Sequence, residues 1–124
     1  DTWRHFHEGQ AERVLIASPE LRVLFERSLD EYDPVGLARR YMQGADIVVV
    51  EGFKAAPLPK IEVFRRAVAD KPLYNPRVTN AREWVAIVTD DADFEAECPV
   101  LHFHDTIWLQ LLASLAWDRS LVID

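Results

Sequence analysis

Two segments of the sequence are apolar without interruption, and they restrict the fold more than any other feature. Ile47–Val50 and Val85–Val88 each contain four consecutive apolar residues. A strand with one face in solvent alternates apolar and polar residues, whereas a strand covered on both faces is continuously apolar. The two runs therefore predict a parallel sheet with layers on both sides. Neither run approaches the roughly 20 residues that a membrane-spanning helix needs.

The rest of the chain alternates between strand-like and helix-like patterns, which is typical of an α/β domain. Its 124 residues fit a single domain, 1–124, large enough to bury a core. Strands are predicted at Arg13–Ala17 (buried), Leu21–Arg27, Ala45–Val50, Lys60–Phe64, Trp84–Thr89 and Val100–Phe103, with a helix as the alternative for Leu21–Arg27. Helices are predicted from Trp3 to Gly9 with Thr2 as cap, from Asp33-Pro34 to Gly44, and from Asp105-Thr106 onward with Ile107, Trp108, Leu111, Leu112, Leu115 and Ala116 facing inward.

The charge balance narrows the classes of partner. The chain has 21 acidic and 14 basic residues, a formal net charge of −7. An acidic domain repels phosphate backbones, so we expect no nucleic-acid partner. The single cysteine, Cys98, cannot form a disulfide within the chain, which suits a cytoplasmic location. We also expect no membrane partner.

The segment Asp46–Arg65 carries the strongest indication of chemistry. Its predicted strand ends in Glu51-Gly52, and open α/β sheets bind ligands beyond the carboxyl ends of their strands. A carboxylate there can hold a hydrated Mg²⁺ or orient a water, and a glycine lets the backbone approach a phosphate. Lys54 and Lys60 can neutralise phosphate charge, with Glu62 beside Lys60 on the same strand face. The alternative reading of these residues is an ordinary turn with solvated lysines.

The same segment resembles the signature of the molybdopterin-guanine dinucleotide biosynthesis adapter protein B family. The matching stretches are Val50-Glu51-Gly52-Phe53-Lys54, the proline-containing loop, Pro59-Lys60-Ile61-Glu62-Val63 and Arg65. The opening Asp1-Thr2-Trp3-Arg4-His5, the following Glu8-Gly9 and Arg13–Pro19 also resemble that family's pattern. The resemblance spans essentially the whole chain and weakens after Arg65.

This resemblance implies a three-layer P-loop NTPase-like fold with a mixed sheet flanked by helices. It implies a GTP-binding adapter that assists the guanylyltransferase joining GMP to molybdopterin, with feeble GTP hydrolysis of its own. By the same resemblance Glu51 is the catalytic residue and holds Mg²⁺ through water, while the Gly52 amide faces the γ-phosphate. A homodimer and a molybdopterin guanylyltransferase partner are expected.

The chain departs from the family pattern in its phosphate-binding loop. No G-x-x-x-x-G-K-[ST] pattern occurs in the sequence. We therefore expect the fold to be truncated at its N-terminus, with the natural product beginning some distance before Asp1. On that expectation GTP and Mg²⁺ bind the full-length protein, and this chain alone is inactive and binds neither. The exposed edge left in the sheet is then covered by dimerisation or repacking.

Further candidate residues lie outside that segment. Asp90 follows the strand Trp84–Thr89 at the position where P-loop GTPases place an aspartate that reads guanine, although an acidic solvated loop explains it as well. Arg4 and His5, with Glu62, are candidates for contact with a phosphate or the pterin. The histidine pairs His5/His7 and His102/His104, with Cys98, fit no standard zinc pattern, so hydrogen bonding near Asp105 is the expected role of the second pair.

Two other functions compete with the adapter. The chain is alternatively a stand-alone interaction module that binds the guanylyltransferase or a molybdoenzyme without nucleotide chemistry. It is alternatively an ATP-dependent ligase of the dethiobiotin synthetase group. The continuation Phe53-Lys54 and Pro59–Val63 argues against the ligase, because ligases of that group carry a glycine-rich continuation after Glu-Gly.

Overall fold

A computed structural model describes residues 1–28 and 33–123 of the chain. Contacts divide it into two compact units, Asp1–Asp33 and Pro34–Asp124. The first unit contains a helix and a β-hairpin, and the second contains a parallel sheet and two α-helices. The α/β class with a parallel sheet is confirmed, while the P-loop NTPase-like topology, the N-terminal truncation and the single domain stay predictions.

Helix α1, Thr2–His7, opens the first unit. Asp1, and not the predicted Thr2, caps it, because Asp1 Oδ1 accepts a hydrogen bond from the Trp3 amide at 3.0 Å. An aspartate is among the strongest helix caps. The helix ends at His7, before Gly9. A side chain at Gly9 would place its Cβ 2.8 Å from the His5 carbonyl oxygen, so only glycine fits this exit.

Strands β1, Arg13–Ala17, and β2, Arg22–Glu26, form an antiparallel hairpin. The Ser18 hydroxyl accepts a hydrogen bond from the Leu21 amide at 3.0 Å and closes the turn. Both strands were predicted, but the predicted burial of β1 is wrong, since Leu15 is 60 % exposed. A two-stranded sheet has two faces and few elements to cover them, which leaves apolar side chains in solvent.

The second unit begins with helix α2, Pro34–Tyr41, in which Pro34 and Ala38 are buried. Proline at the first helical position is favoured because its fixed φ suits the helix and its missing N–H is not needed there. The predicted strand at Ala45–Val50 is wrong. Within the described ranges this segment pairs with no strand, and Val49 is 87 % exposed. A continuous apolar run forms a strand only where neighbouring strands supply hydrogen-bonding partners.

Strands β3, Lys60–Phe64, β4, Trp84–Thr89, and β5, Val100–His102, form a parallel sheet in that order. All six residues of β4 are buried. This confirms the covered parallel strand that its continuous apolar pattern predicts. The antiparallel pair of the first unit lies in a separate sheet from these three strands.

Irregular connections cover one part of this sheet. The chain between β3 and β4 contains a 3₁₀ helix, Thr79–Glu83, and the chain between β4 and β5 is a loop. The hydrophobic core cluster is drawn from the strands and from both connections: Phe64, Tyr74, Trp84 and Ile87, with Ala81, Phe94, Ala96 and Cys98 packed against them. The loops therefore contribute core side chains directly.

Helix α3, Trp108–Arg119, closes the unit and contacts β4 and β5. It begins three residues later than the predicted start at Asp105, because residues 103–107 form turns. The predicted inner side is confirmed at its half-buried members Trp108, Leu112, Leu115 and Ala116. It is wrong at Ile107 and Leu111, which are 55 % and 44 % exposed. Across the described ranges, no helix combines the length and the hydropathy that crossing a membrane requires.

Candidate functional site

The turn after residues 45–50 presents the predicted phosphate-site residues. Glu51, Gly52 and Lys54 are all exposed. Gly52 has φ of +86° and Phe53 has φ of +49°, so the chain turns through two successive left-handed residues. This conformation is readily available to glycine and costly for a phenylalanine. The turn thus exposes a carboxylate and an ammonium, three residues apart in the sequence, to solvent.

Lys60 is held inside the protein. Its Nζ donates to the Ala56 carbonyl, to the Leu58 carbonyl at 3.1 Å and to Glu83 Oε2 at 2.6 Å. An ammonium has three donors, and these partners use all of them. The Lys60 side chain is only 15 % exposed. Lys60 therefore links the proline-containing loop to Glu83 at the end of the 3₁₀ helix. Lys54 is the exposed lysine of the segment Asp46–Arg65.

Glu62 is engaged in a similar way on the same strand. Its carboxylate accepts hydrogen bonds from the amides of Leu73 and Tyr74, and from the Trp84 indole N–H at 2.9 Å. The second of these bonds measures 2.9 Å. A carboxylate oxygen has lone pairs for several such donors. Glu62 therefore holds the connection between β3 and β4 against the sheet. Its carboxylate oxygens accept hydrogen bonds from two main-chain amides and one indole N–H.

Charged residues meet where the parallel strands end. Arg66, two residues after β3, donates from Nε and Nη2 to Asp91 Oδ2 at 2.9 and 2.7 Å. The Arg66 amide donates to Asp90 Oδ1 at 3.2 Å. Asp90 itself is exposed, whereas the Asp91 side chain is only 13 % exposed. The exits of β3 and β4 are therefore joined by one arginine that contacts two aspartates.

The electrostatics of this edge follow from those contacts. The hydrogen bond from Arg66, followed by that from the Asp93 amide, holds the pKa of the Asp91 carboxyl below its usual range. The Asp91 amide donates a hydrogen bond to Thr89 Oγ1 at 3.1 Å. Asp91 is thus ionised at neutral pH and occupied by protein donors.

The second histidine pair, His102 and His104, lies at the end of β5, on the same edge of the sheet. His102 Nδ1 lies 3.3 Å from the Thr89 carbonyl, and the His102 and His104 rings stack with centroids 5.4 Å apart. His104 Nε2 lies 3.5 Å from Asp105 Oδ1. Asp105 is the residue near which the sequence predicts hydrogen bonding by this histidine pair. Among the residues that the structure describes, no group of three or more histidine, cysteine or acidic side chains is arranged to hold a metal.

Arg4 and His5 belong to the first unit. Both are exposed on α1 and, with Asp1, Glu8 and Gly9, line a shallow depression. Arg4 Nε donates to Glu8 Oε2 at 2.9 Å. This pair of residues one helical turn apart is solvated and contributes little to stability. Their proposed contact with a phosphate or pterin stays a prediction.

Arg66 and Glu83 are the site residues that the sequence reasoning missed. A signal for Arg66 existed, because Arg65-Arg66 leaves one predicted strand and Asp90-Asp91 leaves the next. Parallel neighbours end at the same edge of a sheet, so two such dipeptides of opposite charge are expected to meet. Glu83 offers no comparable signal, since it precedes β4 within an irregular connection.

A family model described as molybdopterin guanine dinucleotide synthesis protein B matches residues 1–90. The matched range includes α1, the hairpin, the Glu51 turn, β3 and β4, and ends at Asp90. No curated protein matches the chain.

Proposed function

This chain belongs to the molybdopterin guanine dinucleotide synthesis protein B family, and from that premise we propose that it serves the synthesis as a GTP-binding adapter. The family relates the chain to the formation of molybdopterin guanine dinucleotide. The finer role is to carry the guanine nucleotide to the guanylyltransferase that joins it to the pterin. A cytoplasmic homodimer is the proposed working form.

The observation that carries this proposal is the exposed turn at Glu51–Lys54. Glu51 supplies carboxylate oxygens, which are the ligands that Mg²⁺ prefers, and a single carboxylate fits an ion that keeps several waters and takes others from phosphates. Gly52, at φ +86°, allows close approach of the main chain to a phosphate. Lys54 adds an exposed positive charge.

The roles of the other candidates follow from their contacts. Lys60 and Glu62 act through the loops that they hold, since their polar atoms already contact protein groups. Asp90 is the proposed ligand of the guanine base, since it is exposed at the end of β4. Glu51 is the proposed group that orients the attacking water in GTP hydrolysis. Because this hydrolysis is slow, the main proposed role of the protein is that of an adapter.

A protein-interaction module without nucleotide chemistry is the second candidate. The observation in its favour is the apolar surface of residues 45–50, where Ile47, Val49 and Val50 are 41 %, 87 % and 39 % exposed. Contiguous exposed apolar side chains are typical of protein-binding surfaces. Binding of the guanylyltransferase is common to both candidates, so only nucleotide binding separates them.

Calorimetry with GTP and Mg²⁺ tests the adapter. The titration is run on this chain and on a version extended upstream through whatever the gene encodes there. We expect binding by a form that carries a phosphate loop, weakened about tenfold or more by Glu51→Gln, which removes the charge on the proposed Mg²⁺ ligand. Glu95→Gln, an exposed acidic residue outside the turn, is the matched control. Absence of GTP binding by every form would leave the interaction module.

A further inference from the structure

We propose that the first unit binds an arginine side chain of a partner protein in an aromatic cleft between helix α1 and strand β2. The cleft has a volume of about 390 Å³ and is lined by six residues of this unit: Asp1, Thr2, Trp3, Phe6, His7 and Phe25. None of the six is a candidate residue of the nucleotide site. The inference therefore goes beyond the proposed function and does not depend on GTP binding.

Helical spacing brings the aromatic rings of the cleft together. Trp3 and His7 lie one turn apart on α1, and their ring centroids are 4.8 Å apart. The Phe6 ring lies 5.4 Å from the His7 ring and 6.3 Å from the Phe25 ring of the hairpin, measured between centroids. The four rings therefore form one continuous aromatic surface.

The angles between the rings favour a side-chain cation as the ligand. The Trp3 and His7 planes are inclined by 39°, and the Phe6 plane is inclined by 88° to His7 and by 52° to Phe25. Successive rings thus face in different directions, as the walls of aromatic cages for cations do. A cation needs only a ring face within about 6 Å of it.

One of these rings already holds a guanidinium of the same unit. The Arg27 guanidinium lies over the Phe6 ring, 4.3 Å from its centroid, and donates to the Phe6 carbonyl oxygen. Across the residues that the structure describes, no arginine or lysine lies over Trp3 or Phe25. Trp3 is 60 % exposed, and tryptophan attracts cations more strongly than other aromatic rings do. Trp3 therefore offers a cation-binding face to a second molecule.

The charge of the unit complements a cation. Residues 1–33 contain eight acidic and four basic residues, a formal net charge of −4. Asp1 is among the residues that line the cleft. Arg4, the only arginine of α1, is paired with Glu8 at 2.9 Å. Arginine suits the site better than lysine, because a guanidinium is more weakly hydrated than an ammonium and stacks on aromatic faces.

The surface beside the cleft indicates that the arginine belongs to a protein. Alternate strand residues share a face, so Val23 continues the face of Phe25, and its cross-strand partner Ile16 extends that face over the hairpin. Val23 and Ile16 are 36 % and 44 % exposed. Contiguous exposed apolar side chains are typical of protein-binding surfaces, and arginine and tryptophan are enriched among the residues that dominate interfaces.

NMR titration of the whole chain tests the site, with the amide resonances of His7 and Phe25 as reporters. The probes are capped arginine, capped lysine and capped citrulline, which has the shape of arginine without its charge. We expect capped arginine to bind about fivefold more tightly than capped citrulline, the size of an exposed cation–π contact. Equal affinity of arginine and citrulline overturns the proposal, and equal affinity of arginine and lysine contradicts the choice of arginine.

Variants locate the binding. Trp3→Leu should weaken capped arginine about threefold or more, whereas Trp3→Phe should retain part of the affinity because it keeps an aromatic face. Trp117→Leu is the matched control, since Trp117 is 59 % exposed on α3 and lies outside the cleft. Asp1→Asn keeps a good helix cap and removes the charge, so it should reduce the preference for arginine over citrulline. Equal effects of the two leucine variants would contradict this site.

Two further measurements identify the occupant. A capped tripeptide with arginine between two leucines should bind more tightly than capped arginine, because it also covers the apolar face of the hairpin. Equal affinity of the two contradicts a protein as the source of the arginine. Reporter signals that move when the protein alone is diluted would assign the cleft to a second copy of this chain and contradict a different partner. None of these readouts involves GTP, so each proposal can fail while the other stands.

Discussion

Lys60 Nζ and Glu83 Oε2 lie 2.6 Å apart, and this ion pair joins the first residue of β3 to the residue before β4. The two side chains are 15 % and 26 % exposed, so both charges are partly removed from water. Loss of one partner leaves the other charge unpaired in that environment. The pair is therefore a structural element of the second unit and a direct subject for mutation.

Lys60→Met is expected to lower the free energy of unfolding by about 2–4 kcal/mol, since it leaves Glu83 and two carbonyls without their donor. Chemical denaturation measures the change. The matched control is Lys54→Met in the same segment, which is exposed and should alter stability by less than about 0.5 kcal/mol. Equal stability of the two variants would contradict the structural role of Lys60.

Glu62→Gln is expected to destabilise the protein by about 1–3 kcal/mol, because an amide has one acceptor oxygen where three N–H donors now converge. The Trp84 indole reports the change, as its N–H resonance and fluorescence should shift toward those of a solvated indole. Unchanged Trp84 signals would show that this hydrogen bond does not form in solution.

Gly52→Ala is expected to cost about 1–2 kcal/mol, because φ at this position is +86° and an L-residue is strained there. Gly44→Ala is a matched control, since Gly44 has φ of +85° and open space around it. Both substitutions should destabilise equally, yet only Gly52→Ala should weaken GTP binding. Equal effects of the two variants on GTP affinity would remove Gly52 from the phosphate site.

Asp91 makes stability depend on pH in the acid range. Its pKa is lowered in the folded protein, chiefly by the Arg66 hydrogen bond, so its contribution is present above the unfolded pKa. That contribution is lost as the pH falls through the lowered folded pKa. Asp91→Asn should therefore be less stable than the parent at neutral pH, and the difference should shrink as the solution is acidified. Urea titrations at a series of pH values provide the measurement.

Cys98 is expected to react slowly with alkylating reagents, because burial raises the pKa of its thiol and reduces the reactive thiolate at neutral pH. The rate of iodoacetamide labelling should rise sharply when the protein is unfolded in urea. Glutathione labelled under the same conditions supplies the reference rate. A native rate equal to that of glutathione would contradict the partly buried position of this thiol.

The sequence predicted the second unit well where a pattern could be read locally. Trp84–Thr89 has the continuous apolar pattern of a covered strand and is one, since β3 and β5 flank it. Ala45–Val50 has the same pattern and is not a strand. The two segments differ because Trp84–Thr89 has neighbouring strands to pair with and Ala45–Val50 has none among the described residues. The hydrophobicity of one segment does not reveal whether such neighbours exist.

The contacts of the candidate site were harder to predict. Lys60 and Glu62 were correctly placed on one strand, and both reach Trp84, which lies more than 20 residues further along the chain. Their partners depend on the register between β3 and β4, which shifts by one residue after Lys60. The sequence pattern shows which side chains belong to a strand. It does not show which residue of the neighbouring strand each one contacts, because that depends on the register between the strands.

The order of the parallel strands has a consequence for how the second unit assembles. β3, β4 and β5 lie side by side in the order in which they are synthesised. Each new strand can therefore add to the open edge of its predecessor, and none has to insert between two that are already paired. A nascent chain can extend this sheet from one side as it leaves the ribosome, so the central buried strand β4 is protected on its β3 edge before β5 arrives.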